Sequence, residues 1–272
     1  MGNEVEFFLK QDEYDENGFG VGCAWVNDEC VLCLFNKNTN EIIKIIPEKY
    51  QQTPICVYPF CGGLSEGLIM VSEMGEIELQ YYHHMHGCAG LWGWLDLNMN
   101  VVIKPKYLYA LNFCNGRAIV CKGEWSVKNE NEKEEYWCEN EQWGVIDCAE
   151  REIVPCRFDE INKIDETEEY YLVHEGGWEN GTYAVYGVKE KAIVFALDFD
   201  FDMGYMFNQC FVIDDRIFVF NSHISGEEKD IIDAYDLMEK RWIVQGGELE
   251  GREFNGQTRS VIYKDGKEII VF

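Results

Sequence analysis

"LWGWLDLNMNVVIKP", residues 91–105, decides how this chain is read. Two tryptophans flank a glycine in a short apolar stretch that ends at Asp96; an Asn-rich turn follows, and a second apolar stretch closes at Pro105. Neither stretch is long enough for an amphipathic helix, and the break between them falls on residues that favour turns, so the segment reads as a β-hairpin. Proline cannot donate to a sheet ladder, so Pro105 marks a strand end. The Trp-Gly pair has a packing explanation: glycine lets a neighbouring backbone or ring approach closely, and tryptophan brings a large buried area and an indole N–H that needs a partner.

The same plan recurs in "CVLCLFNKNTNEIIKII", "WGVIDCAEREIVP", "AYDLMEKRWIV" and "VIYKDGKEIIVF". From anchors at Asn36, Asp96, Asp147, Asp236 and Tyr263, an apolar residue follows six positions later each time: Ile42, Val102, Ile153, Trp242 and Ile269. "TYAVYGVKEKAIVFAL" fills the wider gap between Asp147 and Asp236 as a tighter hairpin, which makes five or six copies. After three of them comes a proline shortly before an aromatic: Pro47 and Tyr50, Pro105 and Tyr107, Pro155 and Phe158. "PFCGGLSEGLIMV" and "NFCNGRAIVC" then supply an aromatic, a glycine turn and another strand.

These pieces carry a family resemblance. Trp92, Gly93, Trp94 and Asp96 in one copy, and Trp143, Gly144, Ile146 and Asp147 in another, resemble the bacterial WG repeat; Phe60 and "LSEGL" at 64–68 match its second half. The resemblance covers roughly residues 42 to 160 and implies a structural repeat with no catalytic residues. Farther on, Tyr235, Asp236 and Trp242 resemble a kelch-type propeller blade. The expected fold is all-β, a single domain over residues 1–272 built of repeated antiparallel hairpins. An open strip of hairpins would leave exposed edges, which favours closure into a five- or six-bladed β-propeller-like ring. A curved β-solenoid and a layered β-sheet are the alternatives. The end strands "VEFFLK" and "EIIVF" are expected to pair and close the ring.

The chain is 47% hydrophobic and 14% aromatic, enough for a sizeable β core. Its 23 Lys and Arg against 50 Asp and Glu leave a formal charge of −27. That field repels phosphate backbones and anionic lipid headgroups, so direct nucleic-acid or membrane binding is not expected, and it attracts a protein with a basic surface. The start has no basic and apolar leader, and no run approaches the ~18 apolar residues of a membrane span. A cytoplasmic location follows as an expectation, with the 12 cysteines serving as small core residues.

Several motifs invite chemistry. "GGLSEG" sets Ser65 in a Gly-x-Ser-x-Gly pattern, but a nucleophile elbow needs a helix after it and the flanks here read strand-turn-strand. "DFDFDMG" places Asp198, Asp200 and Asp202 on one face of an extended segment, yet Met203 and Gln209 stand where a calcium loop needs Gly and Glu. In "CVLC", a strand would point Cys30 and Cys33 to opposite faces. His84, His86 and Cys88 share one side of an extended "HHMHGC" and are the candidate metal ligands, though same-face neighbours ~6.6 Å apart converge on one ion only across a bend.

Acidic stretches at 126–141, 165–171 and 223–230 lie between strand candidates and read as surface loop insertions. Within 130–141, Glu134, Glu135 and Glu139 with Tyr136 and Trp137 are the candidate partner contacts, and 165–169 is a second acidic candidate. The residues thus point to a non-catalytic protein-binding scaffold without a cofactor: an inhibitor, immunity protein or accessory subunit facing a basic partner in a bacterial defence or toxin system. A carbohydrate- or small-ligand-binding propeller using its tryptophans, and a metal protein or hydrolase using the His84, His86 and Cys88 cluster, are the competing readings.

Overall fold

A computed structural model describes residues 6–10, 14–51, 63–73, 90–130, 133–164, 167–177, 181–196, 205–214, 216–224, 230–254 and 257–271. The described chain is all-β, with no α-helix and one short 3-10 turn, Glu48–Tyr50. Sheet I holds β1 (Glu6–Lys10), β2 (Phe19–Val26), β3 (Glu29–Asn36) and β4 (Glu41–Ile45). Sheet II holds β5 (Gly63–Ser65), β6 (Leu68–Glu73), β7 (Leu91–Asp96) and β8 (Val101–Tyr107). Sheet III holds β9 (Tyr109–Ala110), β10 (Arg117–Glu130), β11 (Lys133–Asp147) and β12 (Glu152–Phe158). Sheet IV holds β13 (Glu160–Lys163), β14 (Tyr170–Glu175), β15 (Thr182–Gly187) and β16 (Ala192–Ala196). Sheet V holds β17 (Tyr205–Ile213), β18 (Ile217–Ile224), β19 (Asp230–Asp236), β20 (Arg241–Phe254), β21 (Gln257–Lys264) and β22 (Lys267–Val271).

Each sheet is an antiparallel meander in chain order. Sheet V is longer because β20 pairs β19 from Arg241 to Gly247 and then β21 from Glu248 to Phe254. The six hairpins read from the sequence are therefore β3–β4, β7–β8, β11–β12, β15–β16, β19–β20 and β21–β22. Of the end strands, β1 pairs β2 and β22 pairs β21.

The chain divides into two compact units, Met1–Phe158 and Asp159–Phe272. In the first, sheet II is covered on both faces. Ile69, Val71 and Leu95 pack with Val21, Leu32, Leu34 and Tyr50, while Met70, Trp92 and Trp94 pack with Phe113, Ala118, Val120 and Ile146. Strand alternation sends Ile69 and Val71 to one core and Met70 to the other. This is why "LIMV" and "LWGWL" read as unbroken apolar runs rather than as alternating ones. The second unit repeats the device: Phe218 and Phe220 join Leu172, Val185 and Phe195, and Val219 turns the opposite way to Ile232, Ala234, Val244 and Ile262. Each such side chain, fully buried, contributes about 1.5–3 kcal/mol.

Candidate functional site

The repeat's signature residues hold the hairpins together. Opposite Gly93, β8 carries three residues, because Trp92 pairs with Tyr107 and Trp94 with Ile103. A Cβ on Gly93 would lie 2.5 Å from the Ile103 carbonyl oxygen and 2.5 Å from the Pro105 nitrogen. Gly144 faces the same bulge in β12, where a Cβ would lie 2.7 Å from the Val154 carbonyl oxygen. Pro105 does not end its strand as expected: it lies inside β8, as Pro155 lies inside β12, each in the bulged stretch where no ladder donor is required. Glycine and proline are two halves of one crossing.

In sheets II, III and V the aspartate that ends the third strand fastens the turn. Asp96 Oδ1 accepts from the backbone N–H of Asn98 and Asn100, each at 2.8 Å, and Asp147 Oδ1 accepts from Ala149 and Arg151, each at 2.9 Å. Asn36 and Asp236 make the same side-chain-to-backbone turn. The Asn100 hydrogen bonds hold the Asp96 carboxyl below its ordinary range. Ser65 is equally structural: its hydroxyl donates to the Phe113 carbonyl at 2.5 Å, while Glu66 accepts the Gly116 N–H, so the "LSEGL" turn clips sheet II to sheet III. The segment runs strand-turn-strand, as β5 and β6, without the helix an elbow requires.

Trp92 and Trp94 are core residues, 3% and 1% exposed, with Trp94 edge-on to Tyr107 and Phe113. The expected partner for the Trp94 indole N–H is not found among the described residues. Cys33 is buried and Cys30 exposed, on opposite faces as a strand dictates. Burial pushes the Cys33 thiol up to about 12 and those of Cys138 and Cys156 to about 11, so they are neutral packing groups at pH 7.

One element stands outside this pattern. In sheet III, β9 meets β10 only at Val120 and Cys121, and β12 meets β11 only from Trp143 onward. The β10–β11 ladder nevertheless continues for seven rungs, from Glu124 opposite Glu139 to Glu130 opposite Lys133. This two-stranded arm runs about 20 Å past its neighbours. A bulge starts it: β11 carries one extra residue between Gln142 and Glu139, with Asn140 at φ 56°. Gly123 makes room, since a Cβ there would lie 2.7 Å from the Glu139 carbonyl oxygen. Rings fix the root. Tyr109 stacks on Trp143 at 5.6 Å and meets Trp125 edge-on at 6.1 Å. The Tyr109 hydroxyl lies 3.0 Å from Cys138 Sγ, and the Trp125 indole N–H donates to the Gly90 carbonyl at 3.2 Å. Residues 124–141 hold seven Glu against two Lys, so the arm carries a concentrated negative charge.

Against known families, two stretches of the chain find a match, residues 92–124 and residues 143–177. Both match the WG containing repeat. No curated protein matches the chain. The first WG repeat takes in β7 and β8 of sheet II and then β9 and the start of β10 in sheet III. The second takes in the end of β11 with β12, then β13 and β14 of sheet IV. A WG repeat therefore contributes to two successive sheets. The match stops at Glu124 and resumes at Trp143, so the arm is what separates the two WG repeats.

The charge pattern at 126–141 marks a loop; the structure corrects this to strand over nearly all its length. The sequence there is dominated by Glu, Lys and Asn and lacks the apolar alternation by which strands are read. Of the candidate contacts, Glu134, Glu135, Tyr136, Trp137 and Glu139 all belong to β11, with Lys128 opposite Glu135 and Ser126 opposite Trp137; Glu139 is exposed. In the second acidic candidate, Glu168 is 1% exposed and accepts from Lys163 Nζ at 2.5 Å and the Tyr171 hydroxyl at 2.7 Å, which withdraws it from solvent. Of 223–230, His223 and Ile224 end β18 and Asp230 begins β19, while 225–229 lie outside the described residues. His84, His86 and Cys88 lie outside them too, as do Asp198, Asp200 and Asp202. Among the described residues no three His, Cys, Asp or Glu side chains gather as metal ligands, and no helix is long and apolar enough to cross a membrane. Sequence reasoning missed the root of the arm. Gly123 and Asn140, a glycine and a turn-former inside long strand candidates, are the signal that could have found its bulge.

Proposed function

We propose that this protein is a non-catalytic binding protein whose WG repeats form a scaffold for the β10–β11 arm, and that the arm engages a protein with a basic surface. One observation carries the reading: the repeat match is interrupted at the element that projects furthest from its sheet and concentrates negative charge. The scaffold residues are spent on turns, bulges and cores. An acidic projection attracts a basic partner over about a Debye length and sets the encounter rate more than the final affinity. Within this reading the partner class is a basic nuclease or toxin, or the basic face of a larger assembly in a bacterial defence system. The protein acts in the cytoplasm, a setting supported by eight free thiols among the described residues. The turn at Asp236 with Trp242 behind it, in sheet V, supports the kelch-like likeness of that blade.

The test replaces residues 127–136 by Asn-Gly, joining Ser126 to Trp137 through a two-residue hairpin turn. Intact and shortened proteins are used as untagged baits in the host lysate at ~0.1 M and ~0.5 M salt, where screening separates charge-driven capture from the rest. A basic protein held by the intact bait at low salt, released at high salt and absent from the shortened bait is the expected result. Capture of the same proteins by both baits would remove the arm from the function.

A further inference from the structure

The arm has two long backbone edges, and their polarity is fixed by its neighbours. Leu108 N–H donates to the Cys121 carbonyl and Leu111 N–H to the Ile119 carbonyl, so the odd residues of β10 turn toward β9 and the even ones toward β11. The rungs Ser126 to Trp137, Lys128 to Glu135 and Glu130 to Lys133 are then the mutually bonded pairs. By alternation, the backbone N–H and C=O groups of Glu134, Tyr136 and Cys138 point away from β10, along the outer edge of β11. Among the described residues no strand pairs with that edge before β12 joins β11 at Trp143. On the β10 side, the Trp125 indole N–H donates to the Gly90 carbonyl, which sets Gly90 beside the start of that edge.

We infer that the outer edge of β11, over Glu134, Tyr136 and Cys138, receives an extended basic segment of the partner as an added antiparallel or parallel strand. The inference rests on the arm being the contact element and names how the contact is made. An edge of this length with no strand beside it among the described residues is a template for another strand, with main-chain hydrogen bonds giving affinity. Charge chooses the occupant. A second copy of this chain would set seven Glu beside seven more, and like charges side by side on a sheet repel, whereas alternating Lys or Arg meets them favourably.

The probe is a fluorescein-labelled ten-residue peptide of alternating Lys and Thr, and its control is the same peptide N-methylated at every second residue, with equal charge but one bonding edge blocked. In anisotropy titrations at ~0.1 M salt the unmodified peptide is expected to bind the intact protein at least 10-fold more tightly than the control. Glu134→Pro, which removes an outward N–H, is expected to weaken it at least 10-fold, while Glu134→Ala, which removes the charge alone, weakens it less than 3-fold. Equal binding of the two peptides to the unmutated protein, or no binding of either, overturns strand addition, and the first comparison needs no variant to fold. In that case lysate capture that still depends on the arm leaves the proposed function standing. Loss of that dependence removes both.

Discussion

Gly93 and Gly144 carry the most demanding contacts in the described repeat, because the atoms a side chain would strike are backbone rather than movable side-chain ends. Gly144→Ala is expected to cost about 2–3 kcal/mol by forcing β12 off its bulge. Gly251→Ala, whose Cβ would meet only the Thr258 methyl at 3.6 Å, should stay within about 0.5 kcal/mol. Urea unfolding of the two variants beside the parent checks both values. The turn acids respond to pH. The Arg216 hydrogen bonds and charge lower Asp236 from 3.8 to about 2, burial opposing them. A carboxyl lowered on folding stabilises the fold above its unfolded pKa and loses that contribution as pH falls through the folded one. Arg216→Met should therefore lower Tm most at pH 5 to 7, with the gap to the parent closing between about pH 4 and pH 2.

At the scale of elements, the arm and the sheets that bear it obey different rules. Shortening the arm at 127–136 leaves the Tyr109, Trp125 and Trp143 cluster in place, so Tm should move by less than about 4 °C while the salt-sensitive capture disappears. Trp125→Phe removes the donor to Gly90 and should cost about 1 kcal/mol, seen as lower denaturant tolerance. The six hairpins were legible in the sequence because their turns demand particular residues, as Asp96, Asp147 and Asp236 show. The arm was not, since its Glu- and Lys-rich sequence has no hydrophobic period and its charge resembles that of a loop. Its root was hidden as well: Tyr109 and Cys138 are 29 positions apart, and only the bulge at Asn140 brings them into register. Glu168 reads as solvated acid in one dimension and is buried where Lys163 of β13 and Tyr171 of β14 reach it.

For the whole molecule, a charge of −27 sets a self-repulsion that salt relieves. Raising sodium chloride from ~0.02 M to ~0.2 M should lift Tm by several degrees while weakening partner capture, opposite signs from one cause that a melting series and a pull-down at matched salt will separate. The sheets and the WG repeats, finally, are out of phase: each matched segment starts in one sheet and finishes in the next. Courses of brick laid with staggered joints have the same property. A tandem duplication of one repeat length would insert a whole new sheet between two old ones without leaving any sheet short of a strand, so a lineage of such chains can lengthen or shrink by single copies while every ladder stays complete.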